Sequence, residues 1–165
     1  MSNNRLLEFY TDGSYSSKSE IGAWATICLE DNSIIDTQKG LEPFSSNNRM
    51  ELLAILSALE NADTIETKNT KVIIYTDSAY AANCFNQKWY LNWINNGWKT
   101  ADRQDIKNQD LWRRIISLYI KLSVKLGLTI QKVPGHQGVK WNEYVDLLAQ
   151  STRMKAEKVD KEGRK

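Results

Sequence analysis

The stretch Lys71-Val72-Ile73-Ile74-Tyr75-Thr76-Asp77-Ser78 decides how the rest of the chain is read. It is short, continuously apolar and rich in β-branched and aromatic residues, then stops on an acid. Such a run belongs to a strand covered on both faces, the usual state of a parallel strand in an α/β sheet. A second apolar segment, Leu6 to Ser14, closes the same way, with Leu7 and Phe9 alternating into Asp12-Gly13-Ser14. Between them Met50, Leu53, Ala54, Leu56 and Ala58 recur at helical spacing in a segment starting near Asn47 or Asn48. Working outward, residues 21–30 and 32–40 read as further strands joined by a turn at Asp31-Asn32, an antiparallel meander. Downstream come a short helix at 78–85 and a helix from about Asn108 to Lys125, with Gly127 as its stop. A strand over 128–133 closed by Pro134-Gly135 and a last helix from Trp141 complete the order. That order predicts an α/β fold: a five-stranded mixed β-sheet flanked by helices on both faces.

At 165 residues, 41% apolar and 25% charged, the chain fits one globular domain that needs no disulfide. Cys28 and Cys84 fall in apolar runs and read as small buried hydrophobes. The first ten residues lack the apolar core of a signal peptide, and no apolar run approaches the ~20 residues of a membrane span. A free-standing, cytoplasmic monomer is the expectation. Net charge is +2, but residues 153–165 carry six Lys/Arg against three Asp/Glu, leaving the body slightly acidic. An anionic partner must therefore be held by a local patch, not by bulk charge.

Asp12, Glu51, Asp77 and Asp146 are the candidate chemistry. Each has a bland explanation alone: Asp12 as a turn former, Glu51 as half of a capping box with Asn48, Asp77 as a helix N-cap, Asp146 as a solvated helix acid. Together they mean more. If the strands ending in Asp12 and Asp77 are parallel neighbours, both carboxylates emerge at the same sheet edge, where α/β folds place ligands. Clustered carboxylates raise one another's pKa unless cations join them. Hard divalent ions with oxygen ligands suit such a cluster, and a pair of them makes a phosphoryl-transfer site.

Six motifs then stand in one order: TDGS (11–14), NNRMEL (47–52), TDS (76–78), NWINNGWKTAD (92–102), KNQDLW (107–112) and GHQGVKWNEYVD (135–146). From Arg5 to about Thr152 the chain resembles ribonuclease H of type 1. The resemblance implies a ribonuclease H-like fold and a catalytic domain over 1–152; the charged tail at 153–165 reads by composition as frayed or disordered. The resemblance also implies that Asp12, Glu51, Asp77 and Asp146 bind two Mg²⁺ ions, with Mn²⁺ substituting. It implies hydrolysis of the RNA strand of an RNA–DNA hybrid, leaving a 5′-phosphate and a 3′-hydroxyl. A resolvase- or integrase-like nuclease and a non-catalytic hybrid-binding module are the rival readings. The NGWKTAD and GHQG segments count against the first, and retention of all four acids against the second.

For the substrate, the resemblance places Asn47, Asn48 and Glu51 at the minor groove near the 2′-hydroxyls, and Ser14 and Ser46 at a phosphate or sugar of the neighbouring DNA strand. Trp89, Trp93, Trp98 and Lys99 belong to a stretch in which basic and aromatic residues interleave, as a sugar-phosphate backbone requires. Trp112, opening an amphipathic segment, reads as packing. Ile94-Asn95-Asn96 stand where some members of the family carry consecutive Lys/Arg, so modest affinity and shallow salt dependence are expected. His136, the only histidine, sits in a Pro/Gly-flanked loop and is assigned an auxiliary proton-transfer or product-release role. His136→Ala is accordingly expected to lower turnover while leaving measurable cleavage; a variant as inactive as Asp77→Asn would contradict that role.

Overall fold

The structure is a computed structural model that describes residues 4–65, 69–133 and 140–163. Its elements run β1 (Arg5–Ser16), β2 (Ile21–Glu30), β3 (Ser33–Pro43), α1 (Asn47–Thr64), β4 (Thr70–Thr76), α2 (Ala79–Asn86), α3 (Trp89–Asn95), α4 (Gln109–Lys125), β5 (Gly127–Lys132) and α5 (Lys140–Gly163). The strands form one mixed sheet in the order β3-β2-β1-β4-β5. β1, β2 and β3 pair antiparallel; β1, β4 and β5 pair parallel. The β2–β3 turn lies at Asp31-Asn32, whose φ values of 51° and 62° match the type I′ geometry that closes two-residue hairpins.

The sheet is covered on both faces, unevenly. Leu7 and Phe9 of β1, Val72 and Ile74 of β4 and Ile130 of β5 pack with α1, α2 and α4 into the larger core. On the opposite face Tyr10, Ala25, Ile27 and Leu29 meet Val145 and Ala149 of α5. Period-2 alternation puts Phe9 and Tyr10 on opposite sides, so one strand feeds both cores. Thr26, fully buried, donates its hydroxyl to Ala54 O at 2.8 Å, tying α1 to the sheet. Ser46 caps α1, accepting from Arg49 N, and Ser78 caps α2, accepting from Ala81 N.

Several expectations are corrected. β1 does not end at Asp12 but continues, paired to β2, as far as Ser16. The N-caps are Ser46 and Ser78, so neither Asn48 nor Asp77 is spent on capping. α4 ends at a cap on Leu126, while Gly127 opens β5 beside Lys71. The tail expected to be frayed from residue 153 is helical to Gly163, because Arg153 and Glu157 find partners on β1 and the β1–β2 turn. Pro134-Gly135 lie outside the described residues.

Trp112 is the largest fully buried side chain and sits against Phe85 and Trp93, with ring centroids 5.8 and 5.2 Å away. Trp112→Ala is expected to cost about 3–5 kcal/mol, read as a lowered urea midpoint; a loss under ~1 kcal/mol would show that the main core does not depend on this ring.

Candidate active site

The parallel ladder between β1 and β4 ends at Tyr10 opposite Tyr75. Asp12 and Asp77 are each two residues beyond that last pair, so register alone delivers both to the same edge. Past the ladder the two chains part: β1 stays paired with β2, while β4 ends at Thr76 and turns into α2. Thr11, which donates its hydroxyl to Tyr75 O at 2.8 Å, staples the point of divergence. α1 contributes Glu51 from the face it buries, and α5 contributes Asp146 from the other side of the sheet. The four acids, with Gly13, Asn47, Asn48 and Ser78, line one cleft of about 560 Å³.

Asp12 is the hub. Only 3% exposed, it lies in hydrogen-bonding reach of the carboxyls of Glu51 and Asp146. Burial first, then the charge of Glu51, pushes its pKa far above the usual carboxylate range; Asp146 and Asp77 add to the shift. Glu51, 6% exposed, is raised too, chiefly by burial, and is partly relieved by Asp12 and the Gly13 N–H. That N–H reaches Asp12 Oδ1 at 2.9 Å and Glu51 Oε1 at 3.2 Å. Glu51 Oε2 is buried without a hydrogen-bond partner among the described residues. A buried carboxylate oxygen left this way, beside other carboxylates, fits a cation as its missing neighbour. Among the described residues no group of three or more His, Cys, Asp or Glu side chains is already arranged to hold a metal ion. The fit rests instead on the cleft, the donor set and the orphaned oxygen.

A family profile described as RNase H matches residues 4–154. The chain belongs to the RNase H family. It is similar to a ribonuclease H of Syntrophomonas wolfei, 37% identical over 145 residues that span 86% of this chain and 92% of that one. A ribonuclease H of Francisella philomiragia is 41% identical over 140 residues, 85% of this chain and 86% of the relative. Among solved structures, LC9-RNase H1, a type 1 RNase H with the type 2 active-site motif, superposes with a TM-score of 0.74 at 24% identity over 93% of this chain and 74% of that one. That likeness shows the fold. The chain is thus a hydrolase of the ribonuclease H family, with the α/β architecture read from its sequence.

Gly13 is the feature of this RNase H site that sequence reasoning passed over. A Cβ on it would stand 2.6 Å from Met50 Cβ and from Glu51 N, so only glycine lets α1 approach β1 closely enough to bring Glu51 beside Asp12. The signal was present, as the glycine directly after Asp12. Gln150 was also missed; its Nε2 donates to Asp146 Oδ1 and Oδ2 at 3.3 and 3.4 Å, the i,i+4 spacing of a helix pair. Arg49 fixes the α1 N-terminus, donating to Glu42 at 2.8 Å and to Asp110 at 3.0 and 2.7 Å.

The expected substrate contacts divide. Asn47 and Asn48 line the carboxylate cleft. Ser46 spends its oxygen on the cap, and Ser14 accepts from Arg153 Nε at 2.9 Å. Trp89, Trp93 and Trp98 are half-buried against the main core, with Trp93 in contact with Trp98 and Trp112. They anchor the arm that follows α2, as packing and as a partly open surface at once. Lys99 is exposed and paired with Asp105 at 2.5 Å, and Arg113 stacks over Trp98 at 4.9 Å. His136 lies outside the described residues.

The raised pKa of Asp12 has a thermodynamic sign. A carboxyl whose folded value exceeds its unfolded value of about 3.9 favours folding below that value and loses the contribution as pH rises through the folded one. The cation-free protein is therefore expected to lose stability from about pH 4 upward. Asp12→Asn is expected to flatten that loss and to melt higher than the parent at pH 8 in chelator, measured by calorimetry at both pH values. An unchanged profile would mean that Asp12 is not the strained member of the cluster.

Proposed function

We propose that the chain hydrolyses the RNA strand of RNA–DNA hybrids with two divalent cations, Mg²⁺ or Mn²⁺ in its place, leaving 5′-phosphate and 3′-hydroxyl ends. The observation that carries this reading is the convergence of Asp12 of β1, Glu51 of α1, Asp146 of α5 and Asp77 of the β4–α2 connection on one cleft. These four residues would hold the ions. When bound, the cations lower the pKa of an attacking water and neutralise charge on the leaving 3′-oxygen.

The protein's own residues do the remaining work. Asp12 and Glu51 would be ionised when cations are bound and would supply the negative charge that offsets theirs. The Gly13 N–H orients both carboxylates. Asn47 and Asn48 bring amide groups that both donate and accept to the rim of the cleft, the chemistry needed to read a ribose 2′-hydroxyl. The arm offers Lys99 and Arg103, which with Asn96, Thr100 and Ala101 line a separate cleft of about 390 Å³, as a seat for the DNA strand's backbone. Pairing of Lys99 with Asp105 supports modest affinity and a shallow salt dependence. Buried, unpaired Cys28 and Cys84 support a reducing compartment, the cytoplasm, and we read the working unit as a monomer. No helix among the described residues is long and apolar enough to cross a membrane.

Labelled hybrid, single-stranded RNA and double-stranded RNA incubated with the protein and Mg²⁺ test this. Hybrid alone is expected to be cut, and Asp77→Asn to lower the rate by about 10²–10³-fold. Cleavage of all three RNAs, or of hybrid in chelator, would overturn the assignment.

A further inference from the structure

α5 runs to Gly163, and its C-terminal half is tied to the strand that carries Asp12. Asp146, Gln150, Arg153 and Glu157 recur at i, i+4, i+7 and i+11, one face of the helix. Arg153 Nε donates to Ser14 Oγ at 2.9 Å, and its Nη1 donates to Glu157 Oε1 and Oε2 at 2.9 and 2.8 Å. Ser19 Oγ donates in turn to Glu157 Oε2 at 2.5 Å. The Arg153 and Glu157 side chains are only 20% and 23% exposed. Arg before Glu at this spacing is the less favourable order for an isolated helix, so the pair is not placed to stabilise α5 for its own sake.

Asp12 and Ser14 project from the same side of β1. Beyond the apolar contact of Tyr10 with Val145 and Ala149, β1 and α5 make polar contacts of opposite character at two points. At the first, Asp12 and Asp146 bring like charges together. At the second, seven residues and about 10 Å further along the helix, Arg153 holds Ser14. Trp141 Nε1 pins the start of α5 to Asn32 Oδ1 at 2.9 Å, at the far end of the β2–β3 hairpin. We propose that Arg153, fixed by Glu157 and bonded to Ser14, is a positioning residue that holds Asp146 against Asp12 so that the carboxylates can bind divalent cations. This rests on the reading of the cleft as a cation-binding centre.

The test is Mn²⁺ binding to the full chain without nucleic acid, followed by the electron paramagnetic resonance of free Mn²⁺. Arg153→Ala is expected to weaken binding about tenfold, the scale on which losing a ligand-orienting partner acts. At saturating Mn²⁺ its KM for hybrid should stay within about twofold of the parent. Ser14→Ala, which removes only the accepting hydroxyl, carries the same test by Mn²⁺ binding if Arg153→Ala does not fold. Unaltered Mn²⁺ binding in these variants overturns the clamp alone, as does unaltered binding with a raised KM, which would make Arg153 a nucleic-acid contact. No Mn²⁺ bound by the parent overturns the cation-centre reading and the clamp with it.

Discussion

The constraint on which the rest of the structure depends is electrostatic: Asp12 and three further carboxylates, from α1, α5 and the β4–α2 connection, are gathered at the edge of a sheet, with Asp12 and Glu51 nearly removed from water. In a poorly solvated site like charges repel strongly, and burial alone already disfavours ionisation. The fold holds them together with backbone, apolar packing and a few well-aimed donors. Parallel register carries Asp12 and Asp77 to one edge, a glycine contact seats α1, and two layers of core press α1 and α5 onto opposite faces of the same strands. The cost of assembling the cluster is borne by the hydrophobic effect acting on both faces of the sheet.

This arrangement explains why the acids come from separated positions in the chain. A cluster on one helix or one strand could relax by local unwinding. Here the acids sit on β1, α1, α5 and the β4–α2 connection, and the elements are fixed by contacts elsewhere: Thr26 to Ala54 for α1, Thr11 to Tyr75 for the strands, Trp141 to Asn32 for α5. Relaxing the repulsion would mean moving a whole helix out of a packed core, which interiors resist. The site is thereby kept open to whatever positive charge can satisfy it.

Much of this was legible from the residues. The unbroken apolar run Lys71–Thr76 signals a parallel strand, and Asp31-Asn32 signals a two-residue hairpin, because each is dictated locally. Asp12 and Asp77 were candidates as endings of apolar runs, Glu51 and Asp146 only by their combination with those two. The limits of β1 were not: Gly13-Ser14 looks like a turn by local chemistry, but pairing with β2 keeps the chain extended to Ser16. The caps were likewise misplaced by one or two residues, since serine and asparagine compete for that role on nearly equal terms. The helical tail was hidden for another reason. Residues 153–165 read as a solvated, frayed end by composition, and only tertiary contacts to Ser14 and Ser19 reveal what Arg153 and Glu157 do. The tryptophans of the arm show the reverse: their interleaving with basic residues suggests a surface, while all three are partly buried against the main core and Trp93 packs on Trp112.

Anomalous scattering from crystals of the protein grown with Mn²⁺ and an uncleavable RNA–DNA hybrid tests the central claim most directly. The account predicts two anomalous peaks about 4 Å apart, enclosed by Asp12, Glu51, Asp77 and Asp146, with a backbone phosphate between them. A cleft in which hybrid is seated and these four carboxylates hold no manganese would contradict it.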